Sequence, residues 1–184
     1  MPVQTPICDF GKKAIPFELK STDNKIISLD DIKGENGTLI MFICNHCPYV
    51  KAITKEIVED CNELKKIGIN SVAICSNDFI NYPEDSFDNM IKFSKDNQFS
   101  FPYLQDETQK IAKTYDAVCT PDFFGYDKDL GLQYRGRLRE LKNFVPVKDG
   151  ESDLLKAMKQ IAETGKGPQD QIPSAGCGIK WKYD

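Results

Sequence analysis

The apolar run TLIMFI at residues 38–43 restricts the folds open to this chain more than any other feature. A strand that is apolar on both faces has to be covered on both sides, as at the centre of a sheet packed between helices. The next apolar residues recur at helical spacing, with charged residues on the opposite face; they are Val50, Ile53, Ile57, Val58, Cys61 and Leu64. The pattern predicts a buried strand, then a long amphipathic helix that ends near Gly68, with Cys61 in the core.

The remaining segments alternate between strands and helices. Predicted strands lie at 17–20, 25–29, 69–76, 101–106, 122–127 and 132–138, and predicted helices lie at 84–97, 109–115 and 152–163. The order predicts an α/β fold with a parallel core, which the closing hairpin around residues 128–131 turns into a mixed sheet. We expect one domain over residues 15–165 that opens with a β-hairpin. An N-terminal extension (1–14) precedes it, and a Gly- and Pro-rich tail (166–184) without regular secondary structure packs on it.

Charge and hydropathy exclude several classes of partner. The 184 residues carry a net charge of -4, which does not favour nucleic acid or an anionic membrane surface as a partner. The start of the chain lacks the apolar core of a signal peptide, and no apolar stretch reaches the 18 residues expected of a membrane span. These features predict a cytoplasmic protein that needs neither membrane nor nucleic acid.

Two of the seven cysteines form a Cys-x-x-Cys motif, CNHC, at the exit of the buried strand. A helix that starts there offers free N–H groups and the positive end of its dipole, which favour a thiolate. Cys44 is then the expected accessible nucleophile, and Cys47, one turn later, would resolve the mixed disulfide. Pro48 suits a first helical turn, where its missing N–H costs little. A redox pair is therefore the first interpretation.

His46 and Asn45 lie between the two cysteines and are expected to tune them. A protonated imidazole favours the thiolate and so makes the disulfide more oxidising. Two other interpretations stay open, namely a pair of structural thiols and a metal or copper-delivery site that uses Cys44, Cys47 and His46. A zinc site of four protein ligands is disfavoured because no second Cys-x-x-Cys is present. No cofactor is predicted.

At these residues the sequence resembles the thioredoxin superfamily, and within it the redoxin branch, the alkyl hydroperoxide reductase/thiol-specific antioxidant (AhpC/TSA) group. The supporting segments are FELKSTDNKIISLDDIKG, the CNHCP junction and CTPDFFGYD, within residues 15–165. The resemblance implies a thioredoxin-like fold. It also implies a thiol–disulfide oxidoreductase that acts on protein or small disulfides and dithiols, with a reductase system or a thiol as electron donor. Thr120 and Pro121 would be the cis-proline turn that packs on the motif and shapes the substrate groove.

The sequence departs from its relatives at the motif itself. Thioredoxins usually place Trp before the first cysteine and Gly-Pro between the two, whereas here Ile43 precedes and Asn45-His46 intervenes. The peroxiredoxin motif Pro-x-x-x-Thr-x-x-Cys also fails, whichever of the two cysteines is taken as its last residue. A thiol-dependent peroxidase, that is, a peroxiredoxin-like antioxidant, is therefore the second candidate activity. A domain that only senses redox state is a further one.

Two more cysteines and three arginines complete the candidates. Cys119, two residues before Pro121, and Cys177, between two glycines in the tail, are possible additional redox thiols. Because burial is common for a free cysteine, a core position is the alternative for Cys119. Arg135, Arg137 and Arg139 alternate along a predicted strand and are expected to share one solvated face, a weak candidate for an anion site.

Overall fold

The computed structural model describes residues 2–183 and has a seven-stranded mixed sheet at its centre. The strands are β1 (Val3–Gln4), β2 (Glu18–Ser21), β3 (Ile26–Ser28), β4 (Gly37–Phe42), β5 (Ile69–Cys75), β6 (Tyr103–Gln105), β7 (Cys119–Thr120), β8 (Asp122–Tyr126), β9 (Leu132–Tyr134), β10 (Leu141–Lys142), β11 (Val145–Pro146) and β12 (Ala175–Gly178). The helices are α1 (Leu29–Ile32), α2 (Pro48–Lys51), α3 (Thr54–Lys66), α4 (Phe87–Asp96), α5 (Lys110–Thr114) and α6 (Asp153–Thr164). A 3-10 turn, Pro83–Asp85, precedes α4.

The strand order of the central sheet is β3-β2-β6-β5-β4-β8-β9. Strands β4, β5 and β6 run parallel, whereas β8 is antiparallel to β4 and forms a hairpin with β9. Strands β2 and β3 form the predicted N-terminal hairpin. The predicted α/β class, with a mixed sheet between helices, is therefore confirmed.

Strand β4 is buried along its whole length, as its apolar sequence predicts. Leu39 and Met41 face the layer that contains α3 and α6, and Ile40 and Phe42 face the layer that contains α1 and α5. Each such side chain stabilises the fold by roughly 1.5–3 kcal/mol. Covering β4 on both sides fixes where its carboxyl end lies, and the Cys-x-x-Cys motif begins there.

The long helix predicted after the motif is interrupted. Its apolar face is as predicted, but a one-turn α2 is followed by a break at Ile53 (φ −119°) before α3 starts. The Val50 carbonyl accepts from the Ile53 N–H at 3.0 Å and from the Thr54 hydroxyl at 2.7 Å. These two donors tighten the turn and replace the regular helical pattern at this point.

The expectation that the tail has no regular secondary structure is wrong for Ala175–Gly178. This segment is β12, which lies between β1 and β7 in a separate three-stranded antiparallel sheet. Strand β7 would otherwise present unpaired backbone groups, and β12 satisfies them. A glycine is needed at 176, because a Cβ atom there would lie 2.0 Å from the Thr120 carbonyl oxygen.

Within residues 2–183, none of the helices combines the length and the apolar character that crossing a bilayer would require.

Candidate active site

The two motif cysteines lie where the sequence predicts, between β4 and α2. Cys44 follows β4 by two residues, and Cys47 is the N-cap residue of α2, whose first residue is Pro48. Their side chains are 1% and 0% exposed. The expectation that Cys44 is the accessible member is therefore wrong for this conformation, in which both sulfurs are covered.

Thr120 and Pro121 cover the motif, and the peptide bond between them is cis, as expected. The Cys44 Sγ lies 3.5 Å from the Thr120 hydroxyl oxygen, and the Cys47 Sγ lies 3.2 Å from the Thr120 carbonyl oxygen. Residues 73 or more positions apart in the sequence are thus in direct contact. The predicted proximity of the two motifs is confirmed.

A third thiol reaches the pair from the tail. The sulfur atoms of Cys177 and Cys47 are 3.0 Å apart, at hydrogen-bonding distance. Cys119 is also buried, but its thiol donates a longer hydrogen bond, 3.6 Å, to the Pro121 carbonyl. We call Cys44, Cys47 and Cys177 the thiol cluster. All seven cysteines of the chain are reduced in this structure.

The surroundings of the two motif thiols separate their acidities. A hydrogen bond from the Cys44 thiol lowers the pKa of Cys47, and contacts with Cys177, Thr120 and the backbone of Val50 lower it further. The same Cys44–Cys47 hydrogen bond raises the pKa of Cys44, and burial and the Asp85 carboxylate raise it further. The thiolate is therefore favoured on Cys47, the reverse of what the position of Cys44 beside a helix N-terminus predicts.

Asn45 ties the motif to the 3-10 turn and to β6. Its backbone N–H donates to Asp85 Oδ1 at 2.8 Å, and its side-chain amide donates to the Glu84 carbonyl at 3.0 Å. The Tyr103 hydroxyl donates to Asn45 Oδ1 at 2.7 Å. These bonds hold the backbone between the two cysteines in place, so Asn45 is placed to act on the pair through position rather than charge.

His46 faces a carboxylate. Its Nδ1 lies 2.7 Å from Asp85 Oδ2, although the N–H is not aligned for a hydrogen bond. The imidazole ring is parallel to the Tyr82 ring, with centroids 6.1 Å apart. The same Asp85 oxygen accepts from the Asn77 amide at 2.9 Å. An imidazolium at position 46 would therefore act on the thiols with its charge partly balanced by Asp85.

Cys44, His46 and Asp85 could together hold a metal ion, since their ligand atoms all lie within 4.8 Å of one another. A thiolate, an imidazole and a carboxylate suit zinc or another divalent transition metal. However, Nδ1 and Oδ2 lie 2.7 Å apart, in direct contact with each other. The donor set is thus chemically suitable, while in this structure two of its ligand atoms face each other directly.

Sequence reasoning missed Asp85 and Tyr103, because an acid in a PED segment and a tyrosine in a short strand are ordinary surface and core residues. It also misplaced the arginines. Arg135 and Arg139 are 6% and 8% exposed rather than solvated, because β9 ends at Tyr134 and the alternation of a strand no longer applies.

Both buried arginines are ion-paired. Arg135 Nη2 donates to Asp122 at 2.9 Å, and Arg139 Nη2 lies 2.7 Å from Glu56. In the sequence, the acid Asp122 within the apolar segment DFFGYD could have indicated the buried pair with Arg135.

Comparisons with known proteins give a family match and similar solved structures. The sequence profile of the AhpC/TSA family matches residues 10–137. A comparison with curated proteins gave no match. An uncharacterized conserved protein from Geobacillus kaustophilus has a similar structure, with a TM-score of 0.94 and 42% identity over 100% of this chain and 98% of that one. A hypothetical protein from Sinorhizobium meliloti gives 0.91 and 31% over 100% of both chains.

A thiol:disulfide interchange protein of the thioredoxin family from Chlorobium tepidum matches with a TM-score of 0.64 and 15% identity, over 83% of this chain and 97% of that one. At this identity the likeness concerns the fold alone. It confirms the expected thioredoxin-like fold.

Proposed function

The chain belongs to the AhpC/TSA family, and from that premise we propose that it is a thiol–disulfide oxidoreductase in which Cys44 and Cys47 form the redox-active disulfide. The observation that carries the proposal is the contact of both sulfurs with Thr120 beside the cis-proline, with opposite shifts in acidity. One thiolate and one thiol, held together, are what disulfide exchange requires.

The reaction proceeds by two exchanges. The Cys47 thiolate attacks a disulfide R–S–S–R′, so that a mixed disulfide forms and R′–S⁻ leaves. Cys44 then gives up its proton and attacks the Cys47 sulfur, which forms the Cys44–Cys47 disulfide and releases R–S⁻. The two leaving thiolates take up the Cys44 proton and one from solvent. The substrate gains the two electrons that the cysteines lose, and the reverse sequence oxidises a dithiol.

The neighbouring residues have supporting roles in this proposal. Asn45 positions the backbone between the cysteines, and His46 with Asp85 sets the charge beside Cys44. Thr120 and Pro121 shape the groove for the substrate. The partners are protein or small disulfides and dithiols, and a reductase system or a thiol restores the enzyme. We propose a cytoplasmic setting, where thiols are kept reduced.

Redox titration tests the proposal. Wild-type protein equilibrated in glutathione buffers, trapped with a thiol-alkylating reagent and mapped by mass spectrometry is expected to carry a Cys44–Cys47 disulfide. Cys47→Ser is expected to lower the rate of insulin disulfide reduction by roughly a thousandfold, because a hydroxyl cannot replace a thiolate. Cys61→Ser, a buried thiol of α3 outside the site, is the matched control and keeps the activity.

If no Cys44–Cys47 disulfide forms in any of the glutathione buffers, the proposed function is wrong. Consumption of hydrogen peroxide at the expense of a thiol, faster than insulin reduction, would instead support the peroxidase.

Metal binding is the second candidate function, favoured by the grouping of Cys44, His46 and Asp85. Titration with Cu(I) or zinc would then give a thiolate-to-metal absorption or a calorimetric signal that Asp85→Asn weakens. Metal retention in a Cys44→Ser variant would argue against this site.

A further inference from the structure

We propose that Cys177 is a third redox cysteine, which exchanges with the Cys44–Cys47 pair by forming a disulfide with Cys47. This inference rests on the proposed function, because Cys177 would pass the disulfide between the same Cys44–Cys47 pair and a partner molecule. The three sulfurs would act as a relay in which Cys44 and Cys47 are the buried end and Cys177 is the end nearest to solvent.

The register of the tail places Cys177 at the site. In the antiparallel pairing of β12 with β7, Cys177 lies opposite Thr120, whose carbonyl oxygen is 3.2 Å from the Cys47 sulfur. The two sulfurs are 3.0 Å apart, and a disulfide bond is about 2.05 Å long, so only a small movement separates contact from bond.

The tail is held on both sides of Cys177. Before it, the Ser174 hydroxyl donates to the Pro121 carbonyl at 2.7 Å, and the Ser174 backbone N–H donates to the Thr5 hydroxyl at 3.1 Å. After it, Ile179 is 6% exposed in the core, and the Lys180 N–H donates to Asn77 at 2.9 Å. The contact between the two sulfurs is thus built into the fold, because the chain on either side of Cys177 is anchored.

The exposure of the three cysteines indicates which of them meets the partner molecule. Cys44 and Cys47 are 1% and 0% exposed, whereas Cys177 is partly exposed. A protein disulfide or dithiol therefore reaches Cys177 with less rearrangement than either motif cysteine. Strand β12 covers Cys44 and Cys47, and its own Cys177 is the thiol through which the buried pair can exchange with a partner in solution.

The exchange step conserves electrons. Starting from the Cys44–Cys47 disulfide, the Cys177 sulfur attacks the Cys47 sulfur. The bond from Cys47 to Cys44 breaks, the bond from Cys47 to Cys177 forms, and the proton of Cys177 ends on Cys44. A partner dithiol can then attack the Cys177 sulfur, with Cys47 as the leaving thiolate, and its second thiol completes its own disulfide and frees Cys177.

The acidity of Cys177 suits this order of events. In the reduced protein the pKa of Cys177 is raised to about 12, mainly by burial and also by the hydrogen bond to Cys47 and the charge of Cys47. When Cys47 is in a disulfide, both of its contributions are gone, while Lys180 still favours the Cys177 thiolate. Cys177 is therefore most reactive in the state in which it has to attack.

A cross-linking experiment on the full chain tests the inference. In Cys44→Ser, Cys47 loses its motif partner, and a Cys47–Cys177 disulfide is expected in oxidising glutathione buffer. It would join tryptic peptides 34–51 and 167–180, whereas the Cys44–Cys47 disulfide of the wild type lies within peptide 34–51. The cross-link is expected to exceed the glutathione adduct of Cys47 by roughly tenfold or more, because the sulfurs are already in contact.

Matched double variants identify the partner. Cys44→Ser/Cys119→Ser is expected to keep the cross-link, and Cys44→Ser/Cys177→Ser to lose it. Cys44→Ala replaces Cys44→Ser if circular dichroism shows that the serine variant does not fold. Free Cys177 and glutathionylated Cys47 in a folded variant, in all buffers, would overturn the inference.

A single variant separates the inference from the proposed function. Cys177→Ser retains Cys44 and Cys47, so their disulfide is expected to form, and its absence would count against the proposed function instead. The same variant, oxidised to its Cys44–Cys47 disulfide, is expected to oxidise a peptide dithiol about tenfold more slowly than oxidised wild type, because the exposed end of the relay is lost. An unchanged rate would show that Cys177 is off the route and would overturn the inference.

Discussion

Two buried clusters combine the segment after β4 with residues far along the chain, but they differ in how their polar groups are paired. The first is the thiol cluster. The second, the arginine cluster, consists of Glu56, Asp60, Arg139 and Ser152, all of them buried. In the arginine cluster each donor has its own acceptor. In the thiol cluster one sulfur, that of Cys47, contacts several possible partners.

In the arginine cluster, Arg139 uses each of its nitrogens. Nε donates to Glu56 at 2.7 Å, Nη1 to the Val147 carbonyl at 2.8 Å and Nη2 to the Gly150 carbonyl at 2.7 Å. Such a network ties a loop to α3, and exchanging one partner would leave a charge unpaired.

In the thiol cluster, Cys47 has more than one possible partner. Its sulfur is in contact with Cys177 and Thr120 and shares a hydrogen bond with Cys44. Exchange of disulfide partners there adds no unpaired charge, because the proton of the attacking thiol ends on the sulfur that is released. Under the proposed function, burial serves stability in the arginine cluster and chemistry in the thiol cluster.

The largest effect is expected from breaking the arginine cluster. Arg139→Met leaves the buried Glu56 carboxylate with only the exposed Lys148, 3.9 Å away, as a cation, and is expected to lower the free energy of unfolding by about 3–5 kcal/mol, measured by urea unfolding. Arg137→Met is the control, because its partner Asp153 is 37% exposed and the pair contributes about 0–1 kcal/mol. An unchanged stability in Arg139→Met, or a shifted redox potential of the thiol pair, would break the comparison.

A smaller effect is expected from pH. Burial raises the pKa of Asp60 from its ordinary 3.8 to about 6, although the Ser152 hydroxyl, which donates to it at 2.6 Å, opposes this shift. The native state then holds the proton more tightly than the unfolded state, so the contribution of Asp60 to stability is largest at pH 4 and below and falls as the pH rises to about 6. Asp60→Asn is expected to remove about 2 kcal/mol of this decline.

Urea unfolding of wild type and Asp60→Asn at pH 4 and about pH 6 measures the difference in the free energy of unfolding. Asparagine is a suitable replacement, because the Ser152 hydroxyl can still donate to its side-chain oxygen. Equal pH dependence in the two proteins would contradict the raised pKa.

The smallest effect is expected at the thiol cluster, where one charge is changed. Asp85→Asn removes the carboxylate that raises the pKa of Cys44, so that pKa is expected to fall. Thiolate absorbance during a pH titration of Cys47→Ser, with and without Asp85→Asn, measures it. Glu84→Gln, an exposed neighbour on the same turn, is the control. A rise in the pKa would show that His46 rather than Asp85 dominates the field at Cys44.

The secondary structure was largely predictable because its signals are local. The run at 38–43, the helical spacing after Val50 and the hairpin around residues 128–131 each depend on neighbouring residues. The break at Ile53 was not predictable, because it arises when the Thr54 side chain competes for a backbone carbonyl. Strand β12 was missed for a related reason: a Gly-rich segment has no strand signal of its own and pairs because β7 offers it an edge.

The sequence by itself determined the class of fold and the location of the motif, since an apolar strand followed by an amphipathic helix has few ways to bury both. It also marked Cys44 and Cys47, and the resemblance to the thioredoxin superfamily added the Thr120-Pro121 turn. Only the tertiary structure decided which groups surround the thiols. Acidity and contact depend on distances of a few ångströms between segments up to 130 residues apart, and Cys177 and Asp85 come to the site through such distances alone.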